Sequence, residues 1–144
     1  MYREMEITDI PAVLPLYIQY YNTQEEAQWT PETAGRRIRQ VLSMDGGYGL
    51  LLEEDGEAAG FVMGFFKQYD DLVSFNLEEI VIEHSRQGRG LGSALLKETE
   101  RRVKERGAAG IELCAVNDEA HRCFYGRAGY GDAKNFQLKV KWFS

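Results

Sequence analysis

Histidine and cysteine are scarce in this chain, with two of each among 144 residues. Two cysteines, Cys114 and Cys123, are too few for a disulfide framework, and their spacing is not that of a metal site, so no metal is expected. Their apolar neighbours mark both as buried thiols. Positive charge is also short: 17 Lys and Arg face 23 Asp and Glu, a net charge of −6. A protein that grips a phosphate backbone needs a basic footprint, so nucleic acid is excluded as a general partner. No apolar run approaches the roughly 18 residues that span a bilayer, and charges interrupt MYREMEITDIPAV where a secretory signal would be apolar. The expected location is cytoplasmic, with no membrane partner. An acidic surface suits small cationic partners instead.

What is present is ordinary soluble composition, 44% hydrophobic and 28% charged in 16.4 kDa. That is enough chain for one domain over residues 1–144 with a substantial core. No internal repeat, low-complexity tract or linker divides it. YREMEI alternates as a first strand. Thr8 or Asp9 can cap a helix through Tyr21, with Pro11 and Pro15 near its start. TPET, Thr30 to Thr33, sets a hydroxyl at the cap and a proline at the first helical position, predicting a helix to about Leu42. Two strands then flank Asp55-Gly56, a strong hairpin signal. FNLEEIVI, Phe75 to Ile82, is a strand; Leu91, Leu95, Thr99 and Val103 recur at helical spacing; Gly107 ends that helix. GIELCAV, Gly110 to Val116, reads as a buried strand, DEAHRCFYGRA as a short helix and NFQLKVKWF as a final alternating strand. The order β-α-α-β-β-β-α-β-α-β is an α/β mixed sheet with helices on its faces.

Between FNLEEIVI and the helix that follows lies SRQGRGLGSALL, with three glycines and two arginines in close succession. The first N–H groups of a helix are unpaired and the dipole's positive end points outward, so this junction is a natural seat for a phosphate. Glycines let backbone approach the ligand, and Arg86 and Arg89 add charge. A Walker loop is ruled out because no lysine follows Gly92. A dinucleotide fingerprint is ruled out because its last glycine would fall on Ser93 or Leu95.

Gln87-Gly88-Arg89-Gly90-Leu91-Gly92 resembles the Q/R-x-x-G-x-G/A motif of the GCN5-related N-acetyltransferases. LEEIVIEHSRQGRGLGSALL looks like that family's whole acetyl-coenzyme A segment, and AHRCFYGRAGY is similar to its second signature, A-x-x-F-Y-x-x-x-G-F. Residues 75 to 131 carry the likeness. It implies a mixed sheet of about six or seven strands flanked by about four helices, with the fourth and fifth strands splayed. It also implies acetyl-CoA as cosubstrate. Backbone of Gly88, Arg89, Gly90, Leu91, Gly92 and Ser93 would hold the pyrophosphate, with Gln87 shaping the loop. Main chain of Ile80, Val81 and Ile82 would meet the pantetheine arm, as would Asn117. Tyr125 would protonate the leaving thiolate. Asn117 and Tyr125 stand eight apart where the family has about seven, so Asp118 is an alternative to Asn117.

The chemistry implied is direct transfer of an acetyl group to a primary amine of a small molecule or peptide. An alkyl amine titrates near 10, so a base must take its proton. Glu78 and Glu79 lie on the strand that would present the thioester. Alternation sends neighbouring side chains to opposite faces, so only one of them can meet the amine unless a bulge intervenes. His84 is a lesser candidate. The loops expected to hold the acceptor carry Tyr20, Tyr21, Trp29, Tyr69 and Asp70, which with Glu78 suit a cationic amine. Polyamine, aminoglycoside, amino acid derivative and protein amine all fit. A homodimer is a further expectation from the family. The rival reading is a domain of the same fold that binds coenzyme A as a sensor or partner module without turnover.

Overall fold

The computed structural model describes residues 1–144. Along the chain lie β1 (Tyr2–Glu4), a 3-10 turn (Ile7–Asp9), α1 (Ile10–Gln24), α2 (Pro31–Ser43), β2 (Gly47–Glu54), β3 (Glu57–Gln68) and β4 (Val73–Ile82). A second 3-10 turn (His84–Arg86), α3 (Leu91–Glu105), β5 (Ile111–Leu113) and α4 (Glu119–Arg127) follow. Two compact units, Met1–Cys114 and Ala115–Ser144, divide the chain and are described separately.

The sequence cues act where expected in the first unit. The Thr30 hydroxyl accepts from the Thr33 N–H, and Pro31, which has no N–H to lose, opens α2. Asp55 and Gly56 both take positive φ, 53° and 77°, the geometry of a primed two-residue turn between β2 and β3. The sheet order is β1-β2-β3-β4-β5, antiparallel throughout except for the parallel β4–β5 pair. α1 and α2 cover one face, burying Val13, Leu16, Tyr17, Ile38 and Val41 against Leu51, Phe61, Met63 and Val81. Burying residues of this size contributes roughly 1.5–3 kcal/mol each, which is what holds these helices to the sheet. A second group forms where the rings of Tyr48, Phe66 and Phe75 meet edge to face. The Arg106 guanidinium, just past α3, lies over Tyr48 and Phe66 at 4.8 and 5.1 Å.

Val81 and Phe75 are six residues apart on β4 and would share a face in an unbroken strand. They do not, because β4 carries a bulge: Met63 pairs with Glu79 and the next residue, Gly64, pairs with Leu77, leaving Glu78 as the extra residue. A Cβ on Gly64 would stand 2.2 Å from the Asn76 carbonyl oxygen, so only glycine admits the bulged strand here. Beyond the bulge, β5 accompanies β4 only over Phe75–Leu77. From Glu78 onward β4 has β3 on one side and no strand on the other, which is the expected splay.

Several expectations need correction. The sheet has five strands rather than six or seven, with four α-helices as expected. β5 spans Ile111–Leu113, half-buried, not the buried strand Gly110 to Val116. NFQLKVKWF forms no strand, and Phe136, Leu138, Val140 and Trp142 are exposed. Alternation states which face a strand would bury, but only a partner's N–H and C=O groups make it a strand. Cys114 and Cys123 are exposed. Cys114 lies just beyond the end of the β5 ladder, and Cys123 sits on α4, a helix with no buried residue.

In the second unit the Asp118 carboxylate accepts from the His121 N–H and caps α4. Gly129, at φ 92°, lets the chain fold back so that the Tyr130 N–H reaches the Tyr125 carbonyl.

Candidate functional site

The β4 bulge removes the choice that alternation imposed on Glu78 and Glu79. Both carboxylates reach Arg37 of α2: its Nε lies 3.3 Å from Glu79 Oε2 and its Nη2 lies 3.3 Å from Glu78 Oε2. Glu79 is further held by two tyrosines of α1. The Tyr17 hydroxyl donates to Oε2 at 2.6 Å and the Tyr21 hydroxyl to Oε1 at 2.5 Å. Tyr17 and Tyr21 are four residues apart, one helical turn, and so present their hydroxyls side by side. Burial, and then the neighbouring Glu79 charge, raise both phenols well above their ordinary range, so each stays a donor. Burial alone would lower the Arg37 pKa, but Glu79 and then Glu78 outweigh it and the net shift is upward.

The two acids are therefore unlike. Glu79 has every oxygen engaged and its side chain is 12% exposed, whereas Glu78 is 30% exposed with only Oε2 bonded, to Arg37. Of the roughly four acceptor positions of a carboxylate, Glu79 thus has three in use and Glu78 one. Trp29 packs edge-on against Tyr17 with centroids 5.2 Å apart, and Tyr20 against Tyr21 at 4.8 Å. Asn22 clamps the connection between α1 and α2 by bonding the Trp29 N–H and carbonyl, at 2.8 and 2.9 Å. Tyr20, Tyr21, Trp29, Glu78 and Glu79 thus assemble on one face of the sheet.

Tyr69 belongs to another cluster. Its hydroxyl donates to Glu112 at 2.8 Å, and Lys67 lies over its ring at 5.2 Å. Asp70, next to it, is in the bend before β4.

The glycine loop opens α3 as a phosphate seat requires. Gly88 and Gly90 take φ of 79° and 78°, and a Cβ built on either would meet nothing within 4 Å. Gly90 is the cap residue, so no side chain covers the helix start, and the first turn carries no acidic residue. The open backbone, the uncapped 15-residue helix and the unaccompanied stretch of β4 from Glu78 to Ile82 fit a ligand with a phosphate at one end and amide groups along its arm. Gln87 orders the loop by donating to the Ile82 carbonyl at 3.1 Å while accepting from Gln24 at 2.9 Å. The arginines differ from expectation in one respect. Arg86 is 18% exposed among Glu54, Glu57 and Glu83, so its charge is already matched. Arg89 is 54% exposed and pairs with Glu54 at 3.2 Å.

In the second unit Tyr125 stacks edge-on with Phe124 and Tyr130, at 5.0 and 5.6 Å. Asn117 accepts from Arg122 Nη1 at 2.8 Å. Asp118, the alternative to Asn117, is committed to capping α4. Sequence reasoning missed Tyr17, Gln24 and Arg37. The four-residue spacing of Tyr17 and Tyr21 was a usable signal for the first, but nothing local marks Arg37.

No helix is long and apolar enough to cross a membrane, and no group of three or more potential metal ligands is found. The Bacillus subtilis (strain 168) protein YxbD, itself uncharacterized, is 31% identical over 85 residues. That match covers 58% of this chain and 49% of the relative, so it spans about half the relative's length. A ribosomal-protein-alanine N-acetyltransferase from Brucella melitensis biovar Abortus 2308 shares the fold at TM-score 0.76 and 19% identity, over 99% of this chain and 98% of that one. An aminoglycoside N-acetyltransferase solved in complex with CoA does so at 0.75 and 17%, over 98% and 93%. The model of the Acetyltransferase (GNAT) family matches residues 11–130. That span includes the bulged strand, the glycine loop and the Tyr125 helix, and the chain belongs to the GNAT acetyltransferase family.

Proposed function

We propose that this chain moves an acetyl group from acetyl-CoA to a primary amine by direct transfer. The observation that carries the proposal is the bulge at Glu78, which sets two carboxylates on one face of β4 where the strand loses its β5 partner. Bound acetyl-CoA would supply an activated thioester. Backbone of Gly88 through Ser93 would hold its pyrophosphate, and main chain of Ile80 to Ile82 its pantetheine arm.

Glu78 is the base. It keeps one carboxylate oxygen without a bond and is open to solvent, so it can take a proton from an incoming ammonium directly or through water. Glu79 is a positioning residue that anchors Tyr17, Tyr21 and Arg37 around it. The Ile80 N–H is a donor fixed before reaction for the charge that develops on the carbonyl. Tyr125 is assigned the acid role, and Asn117 a contact to the arm, on the sequence motif alone.

The test is release of free thiol from acetyl-CoA against a panel of amines. Turnover with at least one amine, lost in Glu78→Gln, supports the proposal. Tight binding of acetyl-CoA with no turnover of any amine would instead favour a sensor or partner module.

A further inference from the structure

Resting on that reading, we infer that Arg37 selects the acceptor: an α-amine with a carbonyl or carboxylate oxygen beside it, as in an amino acid or a peptide N-terminus, in preference to a polyamine. Two carboxylates alone would form a site for a dication. Here α2 places a guanidinium between them, at 3.3 Å from each, so the cluster keeps one net negative charge. The Arg37 side chain is 30% exposed, as is that of Glu78, and both therefore reach the surface of the cluster.

The remaining valences state what fits. Glu79 already accepts from Tyr17, Tyr21 and Arg37 and is the less exposed of the two acids, at 12%. Glu78 retains Oε1 as an acceptor, and Arg37 retains Nη1, since its bonds to the two carboxylates run through Nε and Nη2. An acceptor oxygen and a donor on two side chains joined at 3.3 Å are complementary to an ammonium and a carbonyl oxygen on neighbouring atoms, which is the head of an α-amino acid unit. A second ammonium on a short diamine would instead meet the guanidinium, and like charges set against each other in a partly desolvated site are strongly disfavoured. The first proton leaves the α-ammonium for Glu78, the freed amine attacks the thioester carbonyl, and the carbon–sulfur bond breaks as the nitrogen sheds its second proton to become the amide, a proton that balances the one the leaving thiolate takes up.

The experiment compares alanyl dipeptide, free alanine and spermidine as acceptors for wild type, Arg37→Gln and Arg37→Lys. Thiol release gives kcat/KM, and calorimetric titration of each amine gives binding without turnover. The wild type is expected to favour the alanyl compounds over spermidine by about tenfold or more. Arg37→Gln should shift that ratio toward spermidine by about tenfold or more, mainly through KM, and Arg37→Lys should keep the wild-type order. The dipeptide and alanine arms separate a peptide carbonyl from a free carboxylate. A wild-type preference for spermidine overturns the inference, as does an unchanged ratio in Arg37→Gln whose circular dichroism matches wild type. If Arg37→Gln fails to fold, the wild-type order alone decides. Binding of alanyl dipeptide that Arg37→Gln abolishes, without turnover in any arm, would uphold the inference while removing the enzymatic reading; binding of no amine overturns it.

Discussion

Glu78 and Glu79 are chemically identical neighbours, and their environments predict opposite consequences for the same substitution. In Glu79→Gln, one of the two tyrosine hydroxyls that donate at 2.5 and 2.6 Å keeps a neutral oxygen acceptor and the other meets an amide NH2, so both bonds lose their charged partner. A hydrogen bond to a charged group contributes about 1.5–3 kcal/mol and a neutral one about 1, so the two bonds together lose about 2 kcal/mol. Arg37 also loses a charged partner, but at 3.3 Å, and with Glu78 still bound to it, this adds little beyond that. For a domain of this size 1 kcal/mol corresponds to about 2–4 °C, so the melting temperature should fall by about 4–8 °C. Glu78→Gln disturbs one partly exposed ion pair and should cost less than about 1 kcal/mol. Its effect belongs to the rate: loss of a general base typically lowers turnover by about 10²- to 10⁴-fold. The assay is thermal unfolding of both variants beside thiol release with the best amine. The reasoning fails if Glu78→Gln is the more destabilised of the two, or if Glu79→Gln abolishes the rate while Glu78→Gln leaves it intact.

Gly90→Val forces a β-branched side chain to φ 78°, a cost of at least about 1–2 kcal/mol, and hangs it over the start of α3; CoA affinity measured by calorimetry should drop at least tenfold, and unaltered affinity would remove the loop from the binding site. Gly64→Ala sets a Cβ 2.2 Å from the Asn76 carbonyl oxygen and 2.7 Å from the Phe75 ring, so about 1–3 kcal/mol or more of stability should be lost in urea unfolding. The Glu98 carboxyl is held down to about 2 by hydrogen bonds from Arg101 and then Arg102. A lowered folded pKa stabilises above the ordinary carboxyl value and is lost as pH falls through the folded one, so any gap in melting temperature between wild type and Glu98→Gln at pH 7 should close between about pH 4.5 and 2.

The elements that rest on local rules were legible in the sequence. Thr30-Pro31 begins α2, Asp55-Gly56 turns β2 into β3, and the glycines at 88 and 90 hold the left-handed conformations that open α3, because each effect is settled within a few residues. The last strand was not legible in the same way: Phe136, Leu138, Val140 and Trp142 alternate, yet a strand needs a partner's hydrogen bonds, which lie elsewhere in the chain or nowhere. The candidate site divides along the same line. The sequence by itself determined that two glutamates stand on the strand before the glycine loop. Only the tertiary structure decided that they share a face, since the bulge depends on a glycine of the neighbouring strand, and that Arg37 binds them both, since α2 reaches them from 41 and 42 residues away in the chain.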